Sequence, residues 1–501
     1  MITPLARLFF SNRVSQIEKF NNSAAEIQKA ELQMLIKKAR NTVFGKEFHF
    51  IEITDYQKFA ENVPVQSYEQ IQGYVERMLK AEPDVLWPGL VKWFAQSSGT
   101  TDAKSKFIPV SDESYRSMHI KGGADTIAMY LHLNPKSKFF SGRSLAVGAG
   151  ETSLNEYGLH IGMLSGMLNE RMNPFVKMVR VPKHETCMIG DFTEKMDKMI
   201  PEIISKNVVS FSGIPSWYQI LFSHITEVTG KSDLTEIWPN MELFIHGGVS
   251  FDPYREMFVK MFPSKKLNFL EVFNASEGFF AMQNDFSDPG MLLMLDYGTF
   301  YEFVDTDNEN AAPIPLWEVK VGKSYAMVIS NNSGLWRYNI GDVVTFTSVN
   351  PYKIVISGRT KHFLNLCGEE LMVGNADAAI TGAAEACGVH VLNYTATVVP
   401  PTEHEKARHQ WLIEFKEPPS DPVRFQKTLD KLLCDQNSDY ESKRNKNVAL
   451  EMPEVVIARR NLFMDWLVKH GKTGPSATGN PSSLSIMANF NCNVLSSQCE
   501  S

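Results

Sequence analysis

The spacing of apolar runs changes character twice along this chain, and those changes limit the folds open to it more than any other feature. From about 90 to 290, strand candidates such as LFIHG (243 to 247) and LNFLEVF (267 to 273) alternate with helical patterns such as TEKMDKMIPEIISK. That alternation is expected of helices layered on a sheet. Between 291 and 358 the helical pattern stops. FYEFV, LWEVKV, YAMVIS, VVTFTSV and KIVIS follow one another closely, separated by the turn-formers DTDNEN and NNSG, which predicts a small β-barrel or twisted sheet. Beyond about 362 come a helix pattern at 370 to 386, strands TATVV and WLIEF, a helix at 423 to 434, strand VVIARR and helix LFMDWLVK, a compact α+β unit.

The expected organisation is therefore α/β: a large N-terminal domain over 1–361, a smaller C-terminal α+β domain over 362–474, and a polar tail over 475–501. An amphipathic stretch at 15 to 40, with Ile17, Phe20, Ile27, Leu32, Leu35, Ile36 and Ala39 near helical spacing, predicts an N-terminal helix on the large body. The charged stretch Arg359 to Leu366 reads as a hinge or as a plain loop. The tail holds seven Ser and four Asn but no Lys or Arg, unlike the rest of the chain.

Composition sets outer bounds. With 43% hydrophobic and 21% charged residues, the 501-residue chain has enough apolar side chain for a core. Its net charge of −7 offers no basic footprint for nucleic acid. Cysteines at 187, 367, 387, 434, 492 and 499 make no CxxC pair, so neither zinc nor a disulfide framework is indicated and a reducing cytoplasm is expected. No signal-peptide-like or membrane-spanning apolar run is present.

Three motifs carry chemistry. The first is Ser97-Ser98-Gly99-Thr100-Thr101-Asp102-Ala103-Lys104-Ser105-Lys106. Hydroxyls, backbone N–H groups and lysine charge suit phosphate oxygens, although such a loop is equally a solvated turn. It is not a P-loop, which would need glycine at 98 and 103 where Ser98 and Ala103 stand. The second is Phe273-Asn274-Ala275-Ser276-Glu277 after an apolar strand, where an aromatic can stack on a base and a carboxylate can hold magnesium; the alternative is a buried Phe and an exposed Glu. Its companion His246-Gly247-Gly248 has glycines against which a flat ring can lie, or a simple turn, and His246 reads as a structural hydrogen-bonding histidine. The third is Trp336-Arg337-Tyr338-Asn339-Ile340-Gly341-Asp342, followed by Ser357-Gly358-Arg359. Asp342 can accept from ribose hydroxyls and Arg359 can donate nearby, or the Gly-Asp is a turn.

In this order the motifs resemble the adenylate-forming superfamily of acyl-CoA synthetases, luciferases and peptide adenylation domains. Within it, SSGTT-x-x-KSKFIPVS, NASEG and RYNIGDVV are similar to the auxin-responsive acyl-acid amido synthetases, over about residues 28 to 474. The resemblance implies a mobile C-terminal domain and an ATP- and magnesium-dependent enzyme that joins a carboxylic acid to an amino acid, with no nucleic-acid or membrane partner. It implies Ser97, Ser98, Gly99, Thr100, Thr101 and Lys106 around the phosphates. Gly247, Gly248 and Phe273 would face the adenine, Ser276 and Glu277 would serve phosphate and metal, Asp342 and Arg359 the ribose, and Lys361 the hinge.

Three departures stand out. Phe273 replaces the usual tyrosine, and Asp102-Ala103 replace a small pair. After Lys472-Thr473-Gly474 the family's lysine-bearing segment gives way to PSATGNPSS, leaving Lys472 as the candidate catalytic lysine. Two alternatives stay open: a CoA ligase of the same superfamily, and a nucleotide-binding protein that kept the fold without adenylating.

Overall fold

The computed structural model describes residues 2–97, 106–147, 152–189, 192–248, 251–306, 308, 311–359, 363–364, 367, 369, 371–402, 405–444, 449–460 and 462–463. The N-terminal amphipathic pattern forms two helices, Ile2–Glu18 and Phe20–Ala39. Ile17, Phe20, Leu32, Leu35, Ile36 and Ala39 are all buried, as their spacing predicts. Gln28 lies on the same buried face. Its amide donates to the carbonyls of Leu295 and Thr299 at 3.0 and 2.9 Å and its oxygen accepts from the Tyr301 N–H at 2.9 Å, so a polar side chain completes the backbone pairing of a buried turn.

The main sheet has twelve strands among the described residues. Arg180–Val181, Arg143–Leu145, Val208–Gly213, Leu243–His246 and Asn268–Ala275 lie side by side and parallel. Gly278–Gln283 then turns back on Asn268–Ala275, and the sheet continues antiparallel through Met291–Leu293, Tyr352–Arg359, Tyr338–Val349, Ser324–Asn331, Thr299–Asp305 and Ile314–Pro315. Except for LWEVKV, whose Leu316–Glu318 forms a 3-10 turn, the close-set strands of the sequence are thus the antiparallel half of the same sheet that the helix-alternating region builds. Helices Phe192–Ile204, Pro215–Thr229 and Asp252–Met261 bury Met199, Leu221, Phe222 and Phe258 against Phe211 and Phe244 on the parallel half. The N-terminal helices cover the antiparallel half in a separate core. A second sheet orders Lys106–Val110, Trp93–Ser97, His160–Gly162 and Ser153–Leu154.

The smaller C-terminal unit has a three-stranded sheet, Val391–Val399, Arg408–Phe415 and Glu454–Ile457, with helices Val373–Cys387 and Pro422–Gln436 closing a core around Trp411, Phe425 and Leu429. It meets the large domain through Tyr254, hydrogen-bonded to Cys367, and Lys443, whose ammonium lies 5.2 Å from the centre of the Trp217 ring.

A buried ion pair ties a further helix, Tyr56–Asn62, to the antiparallel strands. Arg337 grips Glu302 through Nε at 2.9 Å and Nη2 at 2.7 Å, while Nη1 donates to the carbonyls of Val63 and Ala60 at 2.6 and 3.0 Å. Tyr56 donates its hydroxyl to Glu302 at 3.0 Å. With partners on every side, the pair is stable where a lone charge would not be. Glu302→Gln leaves the guanidinium uncompensated and should cost about 3 to 5 kcal/mol. The paired change Arg337→Met with Glu302→Leu should recover only part of that loss, because the Ala60 and Val63 carbonyls lose their donor. Thermal melts of the three proteins decide it, and a Glu302→Gln protein that melts with wild type refutes the argument.

Candidate active site

The sheet changes from parallel to antiparallel at the hairpin joining Asn268–Ala275 to Gly278–Gln283, and the hairpin stands at the carboxyl ends of the parallel strands, the edge where open α/β sheets place ligands. Leu243–His246 is the parallel neighbour, with His246 opposite Glu271. The two motif ends therefore lie side by side. A Cβ on Gly247 would stand 2.3 Å from the Val272 carbonyl oxygen, and Gly248 has φ +85°, so close approach and backbone conformation together require this glycine pair. Ser276 and Glu277 form the two-residue turn of the hairpin, each half-buried. Phe273 is 5% exposed and edge-to-face with Phe280 at 5.0 Å, so its ring is packed in the core and presents little open face.

The hydroxyl-rich loop is anchored at both ends, because Ser97 and Lys106 are register partners in an antiparallel pair. The Lys106 ammonium sits 5.6 Å from the centre of the Tyr68 ring, whose hydroxyl accepts from the Phe107 N–H at 2.8 Å. Ser98, Gly99, Thr100 and Thr101 lie outside the described residues. Asp342, buried on Tyr338–Val349, is the backbone register partner of Arg359 at the end of Tyr352–Arg359. Lys361 and Lys472 lie outside the described residues.

The helix after the loop, Lys121–Leu133, is preceded by a π-helical turn, Tyr115–Ile120, a feature frequent at functional sites. This turn packs on the hairpin: a Cβ on Gly278 would stand 3.1 Å from the Met118 sulfur. His119, on the same turn, is buried and hydrogen-bonds Asn274 of the Phe-x-x-Ser-Glu motif. Burial pulls His119 down to about 4 against that hydrogen bond, so it is a neutral polar group at working pH. Asp125, further along, is held from the first helix by Arg13 and from Tyr297 by its hydroxyl at 2.8 Å.

Two readings from sequence need amendment. His246 is not a hydrogen-bonding structural histidine: both ring nitrogens lack partners among the described residues, and the ring stacks on Phe251 at 4.0 Å. Burial, with the Arg255 charge second, pulls it down to about 3. The NNSG stretch, read as a mere turn, contacts the site directly, since Asn331 Nδ2 donates to the Glu277 carbonyl at 2.9 Å. A run of two asparagines before a glycine is common in turns, and no local pattern separates the two roles.

Both histidines gain protons on unfolding. Their folded values lie below the ordinary 6.5, so the stability from keeping them neutral is present above 6.5 and lost as pH falls toward the folded values. By pH 5 each should have lowered folding stability by about 2 kcal/mol. Urea unfolding at pH 7 and 5 tests this: His246→Leu should shrink the acid-induced loss by about that amount, and an unchanged loss refutes the assignment.

Comparison with known proteins places the chain in a family. The chain matches the GH3 family N-terminal domain over residues 13–267, the GH3 family central domain over 292–359 and the GH3 family C-terminal domain over 374–478. It is 23% identical to the indole-3-acetic acid-amido synthetase GH3.15 of Arabidopsis thaliana, covering 74% of each chain. It is 20% identical to the jasmonoyl-L-amino acid synthetase JAR4 of Nicotiana attenuata, covering 66% of this chain and 68% of that protein. Among solved structures, the GH3.15 acyl acid amido synthetase superposes with a TM-score of 0.61 at 19% identity, over 97% of this chain and 95% of that one. A 2-hydroxyisobutyryl-CoA ligase superposes with a TM-score of 0.54 at 13% identity, over 90% and 92%. With the family's N-terminal, central and C-terminal domains matched in order along the chain, it belongs to the GH3 family.

Proposed function

We propose that the chain is an ATP-dependent acyl-acid amido synthetase, which activates a carboxylic acid as its adenylate and transfers the acyl group to an amino acid. The observation that carries this reading is the strand end His246-Gly247-Gly248 beside the Ser276–Glu277 hairpin at the carboxyl ends of the parallel strands, in a chain of the GH3 family. The relatives' names, an indole-3-acetic acid-amido synthetase and a jasmonoyl-L-amino acid synthetase, support the reaction class.

In the first half-reaction a carboxylate oxygen of the acid bonds to the α-phosphorus of ATP as the bond to pyrophosphate breaks. In the second, the amine attacks the acyl carbon, AMP leaves and the amine proton is lost. The first step builds charge at phosphorus, so the N–H groups, hydroxyls and Lys106 at the loop after Ser97 are its stabilising groups. The second needs chiefly positioning. Gly247 and Gly248 give backbone access for the adenine, and Asp342 and Arg359 bind the ribose.

Magnesium, when bound, neutralises phosphate charge. The residues fit it: Glu277, on a turn held by Asn331, would supply one hard carboxylate oxygen, the other ligands coming from the substrate's phosphates and water. No described helix is long and apolar enough to cross a membrane.

Incubation with ATP, a panel of acids and either amino acids or CoA should yield AMP and pyrophosphate with an amide product. Glu277→Gln should abolish most of that turnover while melting as wild type. Stoichiometric ADP eliminates adenylation, and a thioester product reassigns the acceptor.

Lys472 is proposed as the lysine serving adenylation. Lys472→Ala should slow pyrophosphate release by about 10²-fold, the effect of removing one oriented charge from the transition state. A silent substitution removes Lys472 from the mechanism.

A further inference from the structure

The Ser276–Glu277 turn is built in an unusual way. A two-residue hairpin loop ordinarily relies on residues with positive φ, because those turns match the twist of the flanking strands. Here Ala275 and Gly278 are the last pair, and neither Ser276 nor Glu277 is among the residues of positive φ. Just beyond the turn the register slips between Phe279 and Ala281, a bulge that re-aims the hairpin end. The hairpin therefore does not set its own geometry and needs a support outside itself.

Asn331, fully buried, is placed to be that support. Its Nδ2 donates to the Glu277 carbonyl at 2.9 Å, while its Oδ1 accepts from the N–H groups of Ser333 and Leu335 at 3.0 and 3.2 Å. The Asn331 backbone closes the same turn, its N–H donating to the Leu335 carbonyl at 2.8 Å and its carbonyl accepting from Gly334 at 3.1 Å. The next residue carries the link onward: Asn332 Nδ2 donates to Ser117 Oγ at 2.8 Å, and the Asn332 carbonyl accepts from Ser111 Oγ at 2.7 Å. One rigid turn thus joins the hairpin to the segment that bears the π-helical turn.

We infer that Asn331 is a positioning residue for Glu277, holding the backbone of the Ser276–Glu277 turn so that the Glu277 carboxylate is presented to the metal-nucleotide. This rests on the reading of Glu277 as the metal-binding carboxylate. The division of labour within the side chain makes it testable, because one end serves the local turn and the other serves the hairpin. Asn331→Ser retains a short oxygen acceptor for the N–H two residues on, as serine does in turns of this type, but cannot reach Glu277. Asn331→Asp retains size and acceptor and places an oxygen where the donor was.

The readout is the Mn²⁺ affinity of the full chain saturated with α,β-methylene-ATP, measured by electron paramagnetic resonance, beside a thermal melt of each protein. Asn331→Ser should weaken Mn²⁺ binding by about ten-fold or more, the usual effect of losing a group that orients a metal ligand, with little change in melting. Combined with Glu277→Gln it should add almost nothing, because both act through one carboxylate. Should Asn331→Ser melt early, Asn331→Asp is the variant to read. Unchanged Mn²⁺ affinity in a folded variant, or the same weakening with and without Glu277→Gln, overturns the inference while leaving Glu277 in place. Unchanged affinity in Glu277→Gln alone overturns the parent reading instead.

Discussion

The Arg337–Glu302 pair is the contact on which the rest of the large domain depends. Arg337 has φ +42°, an unfavourable backbone for a residue with a Cβ, and it persists because its side chain and main chain are both held. Its N–H donates to Ser330 Oγ and its carbonyl accepts from the Gln66 N–H at 2.8 Å, while the guanidinium spans Glu302 and two carbonyls of the N-terminal region. Beside it, Trp336 donates to the Leu86 carbonyl at 3.0 Å and meets Phe50 edge-to-face at 4.7 Å. One short segment is thereby gripped from several directions. On its N-terminal side stands the turn at Asn331 that touches the hairpin, and on its C-terminal side the strand that carries Asp342.

This arrangement explains why a polar site can be built from strand ends and turns. The hairpin bearing Ser276 and Glu277 has Phe279 and Phe280 in the core behind it, and Gly122 lies so close under the Phe279 ring that a Cβ there would stand 2.5 Å from it. Rigid apolar packing below and a hydrogen-bonded turn beside it fix the polar groups in place. His119 and His246 are held neutral by the same burial, so they bring polarity near the site without adding charge to it.

The strands and helices were legible in the chain because their apolar spacing is local. LFIHG and LNFLEVF are strands, the 370 to 386 pattern is the helix Val373–Cys387, and the 423 to 434 pattern is Pro422–Gln436. The adjacency of His246-Gly247-Gly248 and the Phe273 hairpin was implied only by their both following strands. The roles of Phe273 and His246 were harder to read: each has the chemistry for a ligand contact, yet whether a ring faces a cleft or a core depends on the packing of Phe280 and Phe251.

Residue order by itself determined the elements, the order of motifs and the chemistry they can perform, because hydrophobic period, turn residues and donor groups are properties of short segments. Tertiary structure alone decided that the helix-alternating and strand-rich regions share one twelve-stranded sheet, that its direction changes at the Ser276–Glu277 hairpin, and that Asn331 supports that hairpin. Asn331 and Glu277 are 54 positions apart, and the hydrogen bond between them exists only once the strands between them have paired. A contact of that kind depends on long-range register, which no local pattern in the chain specifies.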